Sequence, residues 1–176
     1  MKGLVIAGIA VLALVPVQGR IGINGTNSAP RGLWLTHDTK EIKRGMIVSV
    51  CPPASQALEA MKYMGLIHEG RCPGSGVEPL LKAVGAVPGD IVAITQGCAV
   101  TVNGDPIPNT AAIGQIKWND GTYRVMPGEV WVFSTYVPDS FDSRYFGPVK
   151  IENILVEVSP LFVDGNSDDM RRGMKS

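Results

Sequence analysis

Turn signals punctuate this chain at intervals of about ten residues, a spacing that leaves room for short strands and little room for long helices. Pro88-Gly89-Asp90, Asn103-Gly104-Asp105 and Pro127-Gly128-Glu129 are turn sequences, and each is flanked by apolar residues. Asn-Gly in particular favours a two-residue hairpin turn, because both residues tolerate positive φ. The 21 glycines and 13 prolines, against 11 aromatic residues, suit a β fold better than a helical bundle. With 176 residues and 45% hydrophobic content, the chain can build one core but not two.

Between the turns, Gly32–Thr36, Gly45–Val50, Leu80–Val87, Ile91–Thr95, Ala99–Val102, Val130–Ser134 and Ile154–Val158 read as strands. Leu80–Val87 is apolar throughout apart from Lys82, as a central strand would be, with a bend at Gly85 and a stop at Pro88. Residues 54–64 carry helix formers with apolar positions at Leu58, Met61 and Tyr63, which predicts a short helix in an insertion. Gly70–Pro79 is a loop. The predicted fold is mostly β, compact and antiparallel, preceded by one N-terminal apolar helix. Residues 164–176 are polar and contain glycine, and are expected to form a flexible tail after a domain spanning 20–163.

Leu4–Val17 is an unbroken apolar run behind Lys2, a little short for a comfortable membrane span. Residues 1–19 therefore read as an N-terminal membrane anchor or a signal segment. Val15-Pro16-Val17-Gln18-Gly19 makes a poor small-x-small cleavage site, which favours retention. Both readings place the chain from Arg20 onward outside the cytoplasm, with Lys2 inside. Formal charge is zero, so no basic excess points to nucleic acid.

An exported chain keeps disulfides. Cys51, Cys72 and Cys98 allow three pairings, and Cys51–Cys72, which bracket the helical insertion, are the favoured pair. No Cys-x-x-Cys or His-x-x-x-His spacing occurs, so neither a metal nor another cofactor is expected.

Three short stretches carry the chemistry. Ser28 lies in Asn24-Gly25-Thr26-Asn27-Ser28-Ala29-Pro30-Arg31-Gly32, a tight irregular loop about ten residues past the apolar run. Lys82 lies alone among Leu80, Leu81, Ala83 and Val84. A lysine buried there loses its proton more readily and can act as a base toward a serine hydroxyl. Ser140-Phe141-Asp142-Ser143-Arg144-Tyr145-Phe146-Gly147 offers a carboxylate–guanidinium pair suited to fixing a loop. Each also has an ordinary reading: a turn serine, an outward-facing lysine, a structural ion pair.

Their order resembles that of bacterial signal peptidases, the Ser-Lys proteases of the signal peptidase I type, over roughly residues 20–160. The Asn-x-Thr-x-Ser-x-Pro-x-Gly form and the Cys72-Pro73-Gly74 loop are similar to the TraF-type conjugative-transfer branch; general signal peptidases carry Ser-Met-x-Pro-Thr. The resemblance implies Ser28 as nucleophile, Lys82 as general base, Thr26 with the Ser28 N–H as oxyanion hole, Ser140 assisting Lys82, and Asp142 and Arg144 in support. It also implies a serine endopeptidase, without cofactor, at the periplasmic face of a bacterial inner membrane. Its substrate would be a membrane-inserted pilin precursor, processed for the conjugative transfer machinery, with cyclisation as a second outcome of the cleavage. Alternatives are a general signal peptidase I or an inactive periplasmic assembly factor on the same fold. A penicillin-binding Ser-x-x-Lys arrangement is excluded, because Arg31 stands three residues after Ser28. His37-Asp38 reads as a surface turn rather than part of a Ser-His site.

Overall fold

The computed structural model describes residues 20–39, 41–111 and 117–174. The apolar run of residues 1–19 lies outside them. Among the described residues, no helix is long and apolar enough to cross a membrane.

The chain is mostly antiparallel β. Strands β1 (Arg20–Asn24) and β2 (Arg31–His37) flank the Ser28 loop; β3 (Ile47–Val50) comes after them. Helix α1 (Gln56–Tyr63) begins at Ser55, whose hydroxyl accepts the Leu58 N–H as an N-cap. Next come β4 (Leu80–Ala86), β5 (Ile91–Ile94), β6 (Thr101–Val102), β7 (Asp105–Pro106), β8 (Gly121–Arg124) and β9 (Glu129–Phe133). The one-turn helix α2 (Ser143–Phe146), β10 (Val149–Lys150) and the long β11 (Ile154–Asp164) complete the set. Seven strands form one sheet in the order β1-β2-β11-β3-β4-β9-β10, and four form a second in the order β7-β6-β5-β8.

The hairpin expected at Asn103-Gly104 joins β6 to β7, with φ of 55° and 91° at the two residues, as a type I′ turn requires. The bend expected at Gly85 is a bulge in the β4–β9 ladder between Val84 and Ala86. A Cβ at Gly85 would stand 2.3 Å from the Phe133 ring, so only glycine lets the two strands meet there.

Three cores among the described residues stabilise the sheets. Val48, Val50, Leu58, Val84, Val132 and Phe146 pack α1 and α2 against the large sheet. Val92, Ile94, Val102, Ile107, Trp131 and Phe133 join it to the small one. Ala29, Trp34, Ile47, Val158 and Met170 form the third, directly beneath the Ser28 loop. The insertion between β3 and β4 is tied at its base by a Cys51–Cys72 disulfide, and Cys98 is an exposed free thiol.

Two expectations differ from the structure. Residues 164–174 are not a loose tail. Their 3-10 turn, Ser167–Arg171, lies on the domain: Met170 and Met174 are buried, the Met170 carbonyl accepts the Thr135 N–H, and the Thr135 hydroxyl bonds the Asp169 carbonyl. Two apolar side chains four residues apart supply enough burial to dock an otherwise polar segment. His37 ends strand β2 rather than occupying a turn, and its ring meets the Ser159 hydroxyl on β11 at 2.7 Å.

Candidate active site

Lys82 owes its position to strand register. β4 lies between β3 and β9, with Val48 opposite Lys82 on one side and Ala83 opposite Phe133 on the other. The side chain is 1% exposed. Burial is the main force on its amine, since a low-dielectric interior disfavours the charged form. The nearby Asp142 carboxylate pulls the other way and Arg144 reinforces the burial effect. The balance lowers Lys82 from the ordinary lysine value of 10.5 to about 8.

Lys82 Nζ lies 3.0 Å from Ser28 Oγ across 54 residues of sequence. The loop that brings Ser28 there is held from several sides. Asn24 Nδ2 donates to the carbonyls of Thr26, Ala29 and Pro30 at 3.0–3.2 Å. Three acceptors around Nδ2 fix the amide orientation, so Asn24 Oδ1 accepts, taking both the Thr26 N–H and the Thr26 hydroxyl at 3.2 and 2.9 Å. Trp34 Nε1 also donates to the Pro30 carbonyl. From the core side, the Ser134 hydroxyl donates to the Ser28 carbonyl at 2.9 Å. Thr26 Oγ1 stands 3.4 Å from Ser28 Oγ.

Asp142 and Arg144 are fully buried. Asp142 Oδ1 accepts from Arg144 Nε and Oδ2 from Arg144 Nη2, at 2.9 and 3.0 Å, a bidentate pair. Asp142 also caps α2 through the Arg144 N–H and accepts the Ser134 N–H at 3.2 Å. Arg144 donates further to the carbonyls of Pro138 and Ser140, in the segment between β9 and α2, and of Ala111, after β7, which ties two loops together. Burial opposes the guanidinium charge, but Asp142 outweighs it and holds the Arg144 pKa above its ordinary value.

The structure thus brings Thr26, Ser28 and Lys82 together and places Asp142 and Arg144 close enough to act on the lysine charge. Ser140 differs from expectation. Its hydroxyl is buried without a hydrogen-bond partner and makes no bond to Lys82; its carbonyl, taken by Arg144 at 2.6 Å, is what joins the site's frame. Asn24 and Ser134 had no assigned role from sequence. Asn24 stands in the quoted loop motif, and nothing local marks Ser134.

Beside Ser28 runs a cleft of about 610 Å³. It is lined by Asn24, Thr26, Trp34, Leu81 and Val158, and by Glu69–Arg71 with Glu78 and Pro79 from the insertion between β3 and β4. No cluster of His, Cys, Asp and Glu side chains that could hold a metal ion occurs among the described residues. A buried amine of lowered pKa against a half-buried hydroxyl, opening on a cleft, can generate an alkoxide toward a bound acyl group.

The sequence profile of the family described as signal peptidase, peptidase S26, matches residues 2–162. The chain belongs to the signal peptidase S26 family. Among its relatives is conjugal transfer protein TraF of Agrobacterium tumefaciens (strain 15955), 32% identical over 160 residues and covering 88% of this chain and 89% of that protein. Plasmid transfer protein TraF of Escherichia coli is 33% identical over 168 residues, with 90% and 93% covered. A solved signal peptidase I from Enterococcus faecalis V583 aligns with 69% of this chain and 100% of its own at 17% identity and a TM-score of 0.41.

Proposed function

We propose that this S26 family member is a Ser-Lys endopeptidase that matures a membrane-inserted pilin precursor during conjugative plasmid transfer. The observation that supports the chemistry most is the 3.0 Å contact between Ser28 Oγ and a buried Lys82 amine whose pKa lies near 8. The kinship with conjugal and plasmid transfer TraF proteins supports the substrate class.

In this reading, neutral Lys82 Nζ takes the Ser28 proton as Ser28 Oγ bonds to the scissile carbonyl carbon. The tetrahedral oxyanion rests on the Ser28 N–H and the Thr26 hydroxyl. Thr26 donates to Asn24 Oδ1, so its proton must turn toward the oxyanion as that charge develops. The C–N bond then breaks, and the Lys82 ammonium returns the proton to the departing amine. This leaves an acyl group on Ser28. Water resolves it to a linear product, with Lys82 again as base. The pilin's own N-terminal amine, if held close, resolves it to a cyclic one. Asp142 and Arg144 support the frame. Residues 1–19 serve as an anchor or signal that puts the domain from Arg20 onward on the periplasmic face of the inner membrane.

Ser28→Ala and Lys82→Ala are each expected to abolish processing of the pilin precursor while the protein still folds, and Lys82→Arg is expected to fail because arginine stays protonated. A Ser28→Ala protein that fully supports pilus assembly would favour an assembly factor instead. Equal cleavage of a panel of secretory preproteins would favour a general signal peptidase. Mass spectrometry of the mature pilin separates the two resolutions of the acyl group: a mass one water below the linear product marks a ring.

A further inference from the structure

Ser134 is fully buried and touches the nucleophile's own backbone, yet the chemistry above gives it nothing to do. It comes directly after the last residue of β9. Because Ala83 pairs with Phe133 in an antiparallel ladder, Ser134 falls opposite Lys82. Three hydrogen bonds converge on it. Its N–H donates to Asp142 Oδ2 at 3.2 Å, its hydroxyl donates to the Ser28 carbonyl at 2.9 Å, and its oxygen accepts the Tyr136 N–H at 3.3 Å.

We infer that Ser134 is a positioning residue, which ties the Ser28 backbone to the buried Asp142–Arg144 pair and so sets the Ser28 hydroxyl against Lys82. The inference rests on the Ser-Lys reading above. Asn24 grips Thr26 before the serine and the carbonyls of Ala29 and Pro30 after it, but makes no bond to Ser28 itself. The Ser28 carbonyl is held from the core, by Ser134. Fixing that carbonyl fixes the peptide plane after Ser28, and so the position of the Cα from which the side chain departs. The other end of the chain of bonds is anchored: Asp142 is held by Arg144 Nε and Nη2, and Arg144 by three carbonyls from two loops. Asp142 and Arg144 therefore act on the nucleophile through Ser134 as well as on the charge of Lys82. Without the hydroxyl, the Ser28 carbonyl and the Tyr136 N–H both lose their protein partner. The turn then relaxes toward water, carrying Ser28 Oγ away from Nζ.

The test is steady-state cleavage of a pilin-derived peptide by full-length Ser134→Ala and Ser134→Thr, compared with wild type and Ser28→Ala, at a temperature where melting curves show every variant folded. Ser134→Ala is expected to lower kcat about 10- to 100-fold, the scale of a small displacement of a reacting group, with KM unchanged. The pH midpoint of kcat/KM should stay where Lys82 sets it. Ser134→Thr, which keeps the hydroxyl, should restore most of kcat. Amide hydrogen exchange in residues 27–31 should quicken in Ser134→Ala but not in Ser134→Thr. A wild-type kcat in Ser134→Ala would overturn the inference, as would a threonine variant no better than alanine, even with the Ser-Lys reading intact. Cleavage by Ser28→Ala would overturn that reading and this inference with it.

Discussion

Lys82 stands on an interior strand of a seven-stranded sheet at 1% exposure, whereas the hydroxyl it meets belongs to a turn whose preceding residues, Thr26 and Asn27, are open to solvent. The two halves are held differently. Packing and strand register fix the lysine, and the same burial lowers its pKa. Hydrogen bonds from Asn24, Trp34 and Ser134 fix the serine loop. The contrast separates two properties that a base and a nucleophile need. The base must be desolvated, which only a core can do. The nucleophile must reach solvent and substrate, so its geometry has to come from directional bonds rather than from burial.

If the contrast holds, substitutions in the buried half should change stability along with activity, and substitutions in the loop half should act mainly on turnover, with smaller changes in stability. The largest effect is expected at Lys82. Lys82→Met should abolish cleavage yet raise stability. The folded lysine titrates near 8 and the unfolded one near 10.5, a gap worth ~3 kcal/mol. Between those values the unfolded chain binds more protons, so wild-type stability should climb with pH; below about 8 the burial penalty is fully present. Denaturant titration near neutral pH should therefore find Lys82→Met the more stable protein, and equal or lower stability would break the comparison.

Asp142→Ala should act in the opposite sense. It leaves Arg144 buried without its carboxylate, at a cost of about 3 to 5 kcal/mol in the same titration. On the loop, Thr26→Val should leave the unfolding midpoint where it is and reduce kcat by roughly a hundredfold, the loss of one oxyanion donor. Asn24→Ala should cost about 1 to 2 kcal/mol of stability, since the buried Ala29 carbonyl loses its donor while the Pro30 carbonyl keeps Trp34 Nε1, and lower kcat by a smaller factor than Thr26→Val.

Much of the buried half is legible in the sequence. Leu80–Val87 has the continuous apolar character of a central strand, so the lone lysine inside it stands out, and Asn103-Gly104 specifies its own turn. The loop half is legible only as a motif, because its order comes from bonds between residues far apart. Ser134 ends an ordinary apolar stretch, and only the folded topology carries its hydroxyl to a carbonyl 106 residues away. Strand β1 is not legible in the sequence because its apolar residues, Ile21 and Ile23, are 55% and 83% exposed while Gly22 and Asn24 are half-buried, so its pattern is the reverse of a core strand. β8 escaped it because Gly121–Arg124 holds only Tyr123 as a large apolar side chain. Met170 and Met174 were hidden by the charged residues around them.

The central claim is that burial makes Lys82 the base for Ser28, and the pH dependence of kcat/KM for cleavage of a pilin-derived peptide tests it most directly, because that ratio reports groups of the free enzyme. The expected profile rises roughly tenfold per pH unit on the acid side and levels off above about 8, the value that burial gives Lys82. A rate that is flat across that range, or one that keeps rising toward the ordinary lysine value of 10.5, would contradict it.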